Sequence, residues 1–332
     1  MTSARLVYVL SPAKTLNFTT SCISQCTQPR QLSHTHELVE QLRTLSHTKI
    51  KSLFGVSDAL AKLNVDRYQV FDTSKSATEA SNPSETLKQA VLAFSGPAYQ
   101  GLGAYNLSKL DVEYAQTHLR IFCGLYGILR PLDLIQPYRL EMGQKLANSR
   151  GKDLYEFWGD TIVYELDALF SEEEAKENVK LPRVLVNVAS QEYFKSLPQS
   201  ALKAAGIMVV TCVFKDDGKI KSVYAKRARG LMCRYLIQKR VDSLEGIAGF
   251  DLEGYKYAST ASSDDTYVFA RTGAEQKLCL QQTNNVNAMS SVKAKRRVKN
   301  SARSQSVVEV EIENDQDRSQ LRRSTRKKRK TK

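Results

Sequence analysis

The chain has 332 residues, 42% of them hydrophobic, and a formal net charge of +14. That apolar content suits a substantial core, yet no apolar run approaches the roughly 20 residues of a membrane-spanning helix, and MTSARLVYVLSPAKT is too short in apolar residues for a secretory signal. The charge is uneven: residues 281–332 hold 15 Lys/Arg against 5 Asp/Glu, net +10, which leaves +4 for the rest and removes the case for a uniformly basic body.

In chain order, Arg5 to Leu10 reads as a buried strand ending in the loop SPAKT. Helical patterns follow at Ser33–Leu45, Lys49–Phe54, Ser57–Asn64 and Asp66–Phe71. Asn82-Pro83 has the chemistry of a helix start, Asn as N-cap and Pro in the first turn, and feeds VLAFSGPAYQGL, read as a strand. Ser108 and Asp111 form an approximate capping box for a helix to about His118, and Leu119–Cys123 is the next strand. An amphipathic helix is expected over Lys152–Phe170, with Trp158 in the core, then a strand at Arg183–Val188 and a short helix at Gln191–Leu197. Asp217-Gly218 predicts a hairpin between Ile207–Lys215 and Lys219–Ala225, before a helix over Arg229–Val241. Strands near Tyr255–Ser259 and Thr266–Arg271 close the body. The pattern is α/β, one domain over 1–280 with a mixed β-sheet flanked by helices. From Gln281 the chain is poor in aromatics and rich in Ser, Asn, Lys and Arg, which reads as a disordered basic tail, 281–332. Its clusters Lys293–Lys299 and Arg326–Lys330 suit a nuclear import signal, read by an import receptor, or an arm for phosphate backbones; a solvated tail without a specific partner is the third reading.

The six cysteines, from Cys22 to Cys279, lack the spacing of a disulfide framework and read as free thiols of a cytosolic protein. Cys22, Cys26, His34 and His36 superficially resemble a zinc set, but the His-x-His spacing is wrong, and a polar loop with no bound metal is expected.

Four segments could carry chemistry. Ser11-Pro12-Ala13-Lys14-Thr15 leaves the carboxyl end of a strand, where ligands gather in open α/β sheets, and it is either an anion site around Ser11 and Lys14 or a structural turn. LRIFCGLYGILRPLDLIQPYRLEMG, Leu119 to Gly143, mixes apolar residues with glycines, prolines and arginines. Either Arg130 and Arg139 line an anion site or Asp133 and Glu141 neutralise them locally. In YAKRARGLMCRYLI, Tyr224 to Ile237, Lys226, Arg227 and Arg229 are placed where a strand gives way to a helix. Finally, SLFGVSDALAKLNVDRYQVF is either a helix-hairpin-helix-like element over about 49–71, turning at Lys62-Leu63-Asn64 with Asn64 left-handed, or two ordinary packed helices. As a hairpin it would bind phosphates through Lys49, Lys51, Lys62, Asn64 and Arg67.

Together, SPAKTL (Ser11 to Leu16), the Leu119–Gly143 stretch, GKDLYEFWGD (Gly151 to Asp160), QEYFKS (Gln191 to Ser196) and YAKRARGLM (Tyr224 to Met232) resemble the YaaA family of peroxide stress proteins over nearly all of residues 5–272. The resemblance implies a single α/β domain of unusual topology with a helix-hairpin-helix element and a positive cleft. It also implies double-stranded DNA binding and protection against hydrogen peroxide, with lower free iron. It implies no catalytic residue, and Lys14, Arg130, Arg139, Lys152, Lys226 and Arg229 are cleft candidates because they stand in its motifs.

Two functions follow as expectations. One is a monomeric stress protein without cofactor that contacts duplex or distorted DNA through phosphates. The other is an enzyme whose cleft binds a nucleotide or phosphorylated small molecule, with Ser11 or Ser190 as nucleophile; no triad or carboxylate pair specifies its reaction.

Overall fold

Six consecutive buried residues, Arg5–Leu10, form β1 in the middle of a seven-stranded sheet. This computed structural model describes residues 3–19, 23–74, 80, 82–279 and 281. The sheet order is β10-β11-β9-β8-β1-β5-β6, with β5 at Leu119–Cys123, β6 at Gly127–Leu129, β8 at Arg183–Asn187, β9 at Ile207–Asp216, β10 at Lys256–Tyr257 and β11 at Thr266–Arg271. The five inner strands are parallel, and β6 and β10 add antiparallel edges. Two short ribbons lie outside this sheet: β2 (Thr15–Leu16) with β4 (Phe94–Ser95), and β3 (Lys88–Gln89) with β7 (Leu134–Ile135). A parallel strand covered on both faces needs an unbroken apolar run, as β1, β5 and β8 have. The mixed sheet agrees with the sequence reading.

The helices are α1 (Leu32–Arg43), α2 (His47–Phe54), α3 (Asp58–Val70), α4 (Ala90–Ala93), α5 (Pro97–Leu102), α6 (Lys109–His118), α7 (Leu154–Trp158), α8 (Thr161–Glu177), α9 (Gln191–Phe194), α10 (Gln199–Ala204), α11 (Ser222–Lys239) and α12 (Leu244–Ala248). Ser108 and Asp111 do form a reciprocal capping box on α6. Trp158 is buried, and its Nε1 donates to the Gly124 carbonyl at 3.0 Å.

Several expectations are corrected. Lys62-Leu63-Asn64 is not a turn: α3 runs unbroken through it, Asn64 is buried, and its Nδ2 donates to the Leu60 carbonyl one turn back at 2.7 Å. The turn lies at Gly55-Val56-Ser57, where Gly55 caps α2 in the left-handed region (φ 59°) and the Ser57 hydroxyl accepts from the Leu60 amide of α3. Asn82-Pro83 starts no helix, because Ser84 bonds the Leu87 amide and tightens a turn into β3. VLAFSGPAYQGL is helix, two-residue strand and helix rather than one strand. The helix expected from Lys152 is broken by Gly159 (φ 47°) between α7 and α8. Asp217 and Gly218 do turn, both at positive φ, but the hairpin's second strand is absent because the chain enters α11 at Ser222. Lys226 and Arg229 therefore stand inside a helix and not at its first amides.

The compact unit ends at Gly273. Of the remainder, only 274–279 and 281 are described, and they are helical. The tail clusters Lys293–Lys299 and Arg326–Lys330, and the disorder expected of 281–332, lie outside the described residues apart from Gln281. No helix among the described residues is long and apolar enough to cross a membrane. Cys123, Cys212 and Cys233 are buried, which pushes their thiols up, Cys123 to about 11 and Cys212 to about 12.

Helix α11 lies against α5 at backbone contact. A Cβ on Gly230 would stand 1.7 Å from the Ala98 carbonyl oxygen, and one on Gly101 2.2 Å from that of Arg227. Gly230→Ala therefore forces the helices apart and should cost about 1–3 kcal/mol, read as a lower urea midpoint. Wild-type stability in that variant would refute the crossing. His118, stacked 3.8 Å from the Tyr114 ring with Nδ1 bonded to the Tyr114 carbonyl, gives a second test. Burial holds its pKa below the ordinary 6.5, so the unfolded chain is the better proton acceptor. This contribution to stability is complete above about pH 6.5 and is lost as pH falls below it. His118→Asn should flatten the decline of stability between about pH 7 and pH 5; an unchanged slope would contradict it.

Candidate anion-binding cleft

The inner strands change direction of progression between β1 and β8: the chain passes from β1 to β5 on one side, and from β8 to β9 on the other. Loops leaving the carboxyl ends of such neighbours diverge and open a crevice. Ser11 follows β1, and Ser190 stands in the loop after β8. The Ser190 amide donates to Ser11 Oγ at 2.8 Å, and Ser11 Oγ donates to Ser190 Oγ at 3.3 Å. The Tyr99 hydroxyl of α5 holds the Ser11 carbonyl at 3.1 Å. Around this pair lies a cavity of about 290 Å³, walled by SPAKT, by Ser95 to Tyr99, by Tyr138 to Glu141, by α9 and by α11.

Its charges are unequally satisfied. Glu141, 7% exposed, has Oε1 3.3 Å from Arg139 Nη2 and 3.7 Å from Lys14 Nζ. Both contacts fall outside hydrogen-bond geometry, and Glu141 Oε1 and Arg139 Nε are buried without a partner. Glu192 accepts from the Gly143 amide at 3.0 Å. Arg229 has no hydrogen bond or ion pair among the described residues, its Nε is buried, and desolvation alone lowers its pKa. Its neighbour Arg227 is held by Glu253 at 2.5 Å. An uncompensated guanidinium in a half-buried wall is a standing cost that a bound anion removes.

Ser11, Lys14, Arg139, Lys226 and Arg229 thus come together at one cavity. Arg130 and Lys152 do not. Arg130 is bound to buried Asp133 at 2.8 Å and to the Gln28 carbonyl, which is the local ion pair the sequence left open. Lys152 is 77% exposed and pairs with Glu156. Sequence reasoning missed Tyr99 and Tyr193, which line the cavity from α5 and α9; an aromatic beside a strand end was the only available signal. Burial raises the hydroxyl pKa of both well above the ordinary range, so they serve as neutral walls.

Lys49, Lys51, Lys62, Asn64 and Arg67, on α2 and α3, are not among the residues lining this cavity. Lys49 is exposed, Lys51 pairs with Asp58 at 2.7 Å and Lys62 with Asp66 at 2.8 Å. Arg67 Nη1 donates to Asn64 Oδ1 at 3.3 Å. Burial first, and then the nearby charge of Arg139, lowers the pKa of Arg67. The Tyr68 hydroxyl donates to the Arg139 carbonyl at 2.5 Å, so α3 is seated against the cleft wall. Among the described residues no three His, Cys, Asp or Glu side chains are grouped to hold a metal ion; His34 packs on Phe157 and Trp158, and Cys22 lies outside the described residues.

Over residues 6–261 the chain matches the family model described as peroxide stress protein YaaA. A UPF0246 protein of Burkholderia mallei is 50% identical over 271 residues, covering 80% of this chain and 98% of the relative. One from Burkholderia pseudomallei has the same figures, and one from Burkholderia thailandensis is 48% identical over the same extent.

The contrast between the two arginines is measurable. Arg130→Met strands buried Asp133 and should cost about 3–5 kcal/mol, whereas Arg229→Met removes an unpaired charge and should leave stability unchanged or slightly raised. Equal losses in urea titrations would make Arg229 an ordinary structural residue.

Proposed function

Because the chain belongs to the YaaA family of peroxide stress proteins, we propose that it protects DNA in the oxidative-stress response by holding duplex or distorted DNA through its phosphates. The observation that carries this reading is the seating of α3 on the Arg139 wall by Tyr68. On this reading helices α2 and α3, joined at Gly55-Val56-Ser57, act as a helix-hairpin-helix whose turn and first α3 amides face the phosphates. Lys49 and Lys62 flank this turn in solvent, and Arg67 extends the cationic surface to Arg139 at the rim of the cleft. The exposed pairs Lys51–Asp58 and Lys62–Asp66 are worth little in water, so both lysines can exchange a carboxylate for a phosphate at small cost. Such contacts set affinity without reading bases.

The tail clusters Lys293–Lys299 and Arg326–Lys330 would add a phosphate-binding arm or, in a nucleated cell, an import address. The family model is matched over residues 6–261, which makes a chain of residues 1–280 a fair test object. Its affinity for a duplex, followed by fluorescence anisotropy, should fall linearly in log–log form with salt. Lys49→Glu and Lys62→Glu should each lower the slope by about 1. Salt-independent binding by the body, or slopes unmoved by both substitutions, would remove the hairpin from the function.

A further inference from the structure

We infer that the cavity between the ends of β1 and β8 is a binding site for one small phosphomonoester of nucleoside monophosphate class, separate from the hairpin surface. The volume, about 290 Å³, is that of a small-ligand pocket and excludes a duplex, whose major groove alone is about 12 Å wide. The charge is specific. Lys14, Arg139, Lys226 and Arg229 face only two carboxylates, Glu141 and Glu192, in the lining, and the two positive charges left over match the roughly −2 of a phosphomonoester.

Those two charges are also placed together. Lys226 and Arg229 are three residues apart on α11, hence on one face, and neither has a partner among the described residues. A phosphate held there satisfies the Arg229 guanidinium, which no acceptor among the described residues reaches. Gly230, next along the helix, lets α11 come close enough to α5 for this pair to reach the cavity.

The other polar group has a different character. Glu141 Oε1 lies between Lys14 and Arg139 yet accepts no hydrogen bond. It is a buried acceptor without a donor, and a ligand N–H, such as the amino group of a base, supplies one. The apolar part of the lining comprises Ala13, Pro97, Ala98, Tyr99, Tyr138 and Tyr193, a surface that takes a flat apolar body. Tyr138 is tied to Cys123 at 2.8 Å and Tyr99 to Ser11, so these walls are fixed before any ligand arrives.

The full chain would be titrated with AMP, adenosine, ribose 5-phosphate and inorganic phosphate, read by thermal shift and calorimetry. AMP should give a saturable stabilisation, ribose 5-phosphate a weaker one, and adenosine less again. Arg229→Met and the exposed Lys226→Met, the latter without a folding risk, should each weaken AMP about tenfold or more. Arg229→Lys should recover part of the loss. Duplex affinity should be unchanged in Lys226→Met, so failure of the pocket and failure of the hairpin are read separately. The same experiment separates a free nucleotide from a DNA base: additive binding of AMP and a mispaired duplex supports the free phosphomonoester, whereas displacement of the duplex by AMP would put a flipped base, carried on phosphodiesters, in the pocket and overturn it. No saturable response to any phosphorylated probe, or an AMP response undiminished in both methionine variants, would overturn the assignment.

Discussion

The backbone contact between α5 and α11 is the constraint on which the cleft depends. Gly101 and Gly230 each stand where any side chain would enter the other helix's main chain. With both positions bare, α11 packs on β1 and β9, and its Arg229 lines the same cavity as Ser11 of the loop that leaves β1. The cationic wall is thus a product of helix packing, and its position tolerates little. A shift of an ångström at the crossing would separate Arg229 from Ser11 and Tyr99 without touching either.

Against this fixed frame the arginines divide by partner. Arg5 is bound to Glu177, Arg183 to Asp167 and Glu174, and Arg271 to buried Asp216, beneath the Tyr255 ring. These guanidiniums fasten elements to one another, with acceptors and ring faces that their planar forks suit. Arg229 is built into the same body with none of this. Among the described residues Arg229 has no such acceptor, which sets it apart from Arg5, Arg183 and Arg271.

Much of the scaffold was legible in the sequence for one reason. Strands covered on both faces carry mainly apolar runs, so Arg5–Leu10, Leu119–Cys123 and Arg183–Asn187 declared themselves, as did the Ser108–Asp111 cap. Helices α2 and α3 were visible, but the turn between them was misplaced by seven residues. Asn64 attracted attention as a residue that tolerates left-handed backbone, whereas Gly55 takes that conformation and Asn64 is used for its side-chain amide. The cleft was only half legible. Lys226, Arg227 and Arg229 are indistinguishable on paper, and what separates them is Glu253, which comes 26 residues after Arg227 and reaches Arg227 but not Arg229. Arg130 and Arg139 likewise look alike in one stretch, yet one is tied to Asp133 and the other borders the cavity. Asp133 is three residues from Arg130 and was a visible candidate partner, whereas the Arg227–Glu253 pairing is a matter of tertiary distance that no local pattern reports.

The buried cysteines set how the molecule itself fares under the stress its family is named for. Peroxide attacks thiolates, and a thiol whose pKa stands near 11 or 12 is almost wholly protonated in a cell. Cys123 shares its sulfur with the Tyr138 hydroxyl and the Tyr126 amide, so oxidation there would add oxygen where the packing has no room and the cleft wall has its footing. A sulfur kept protonated and covered is a poor target for peroxide, so the packing beneath the cleft wall does not depend on a reactive thiol.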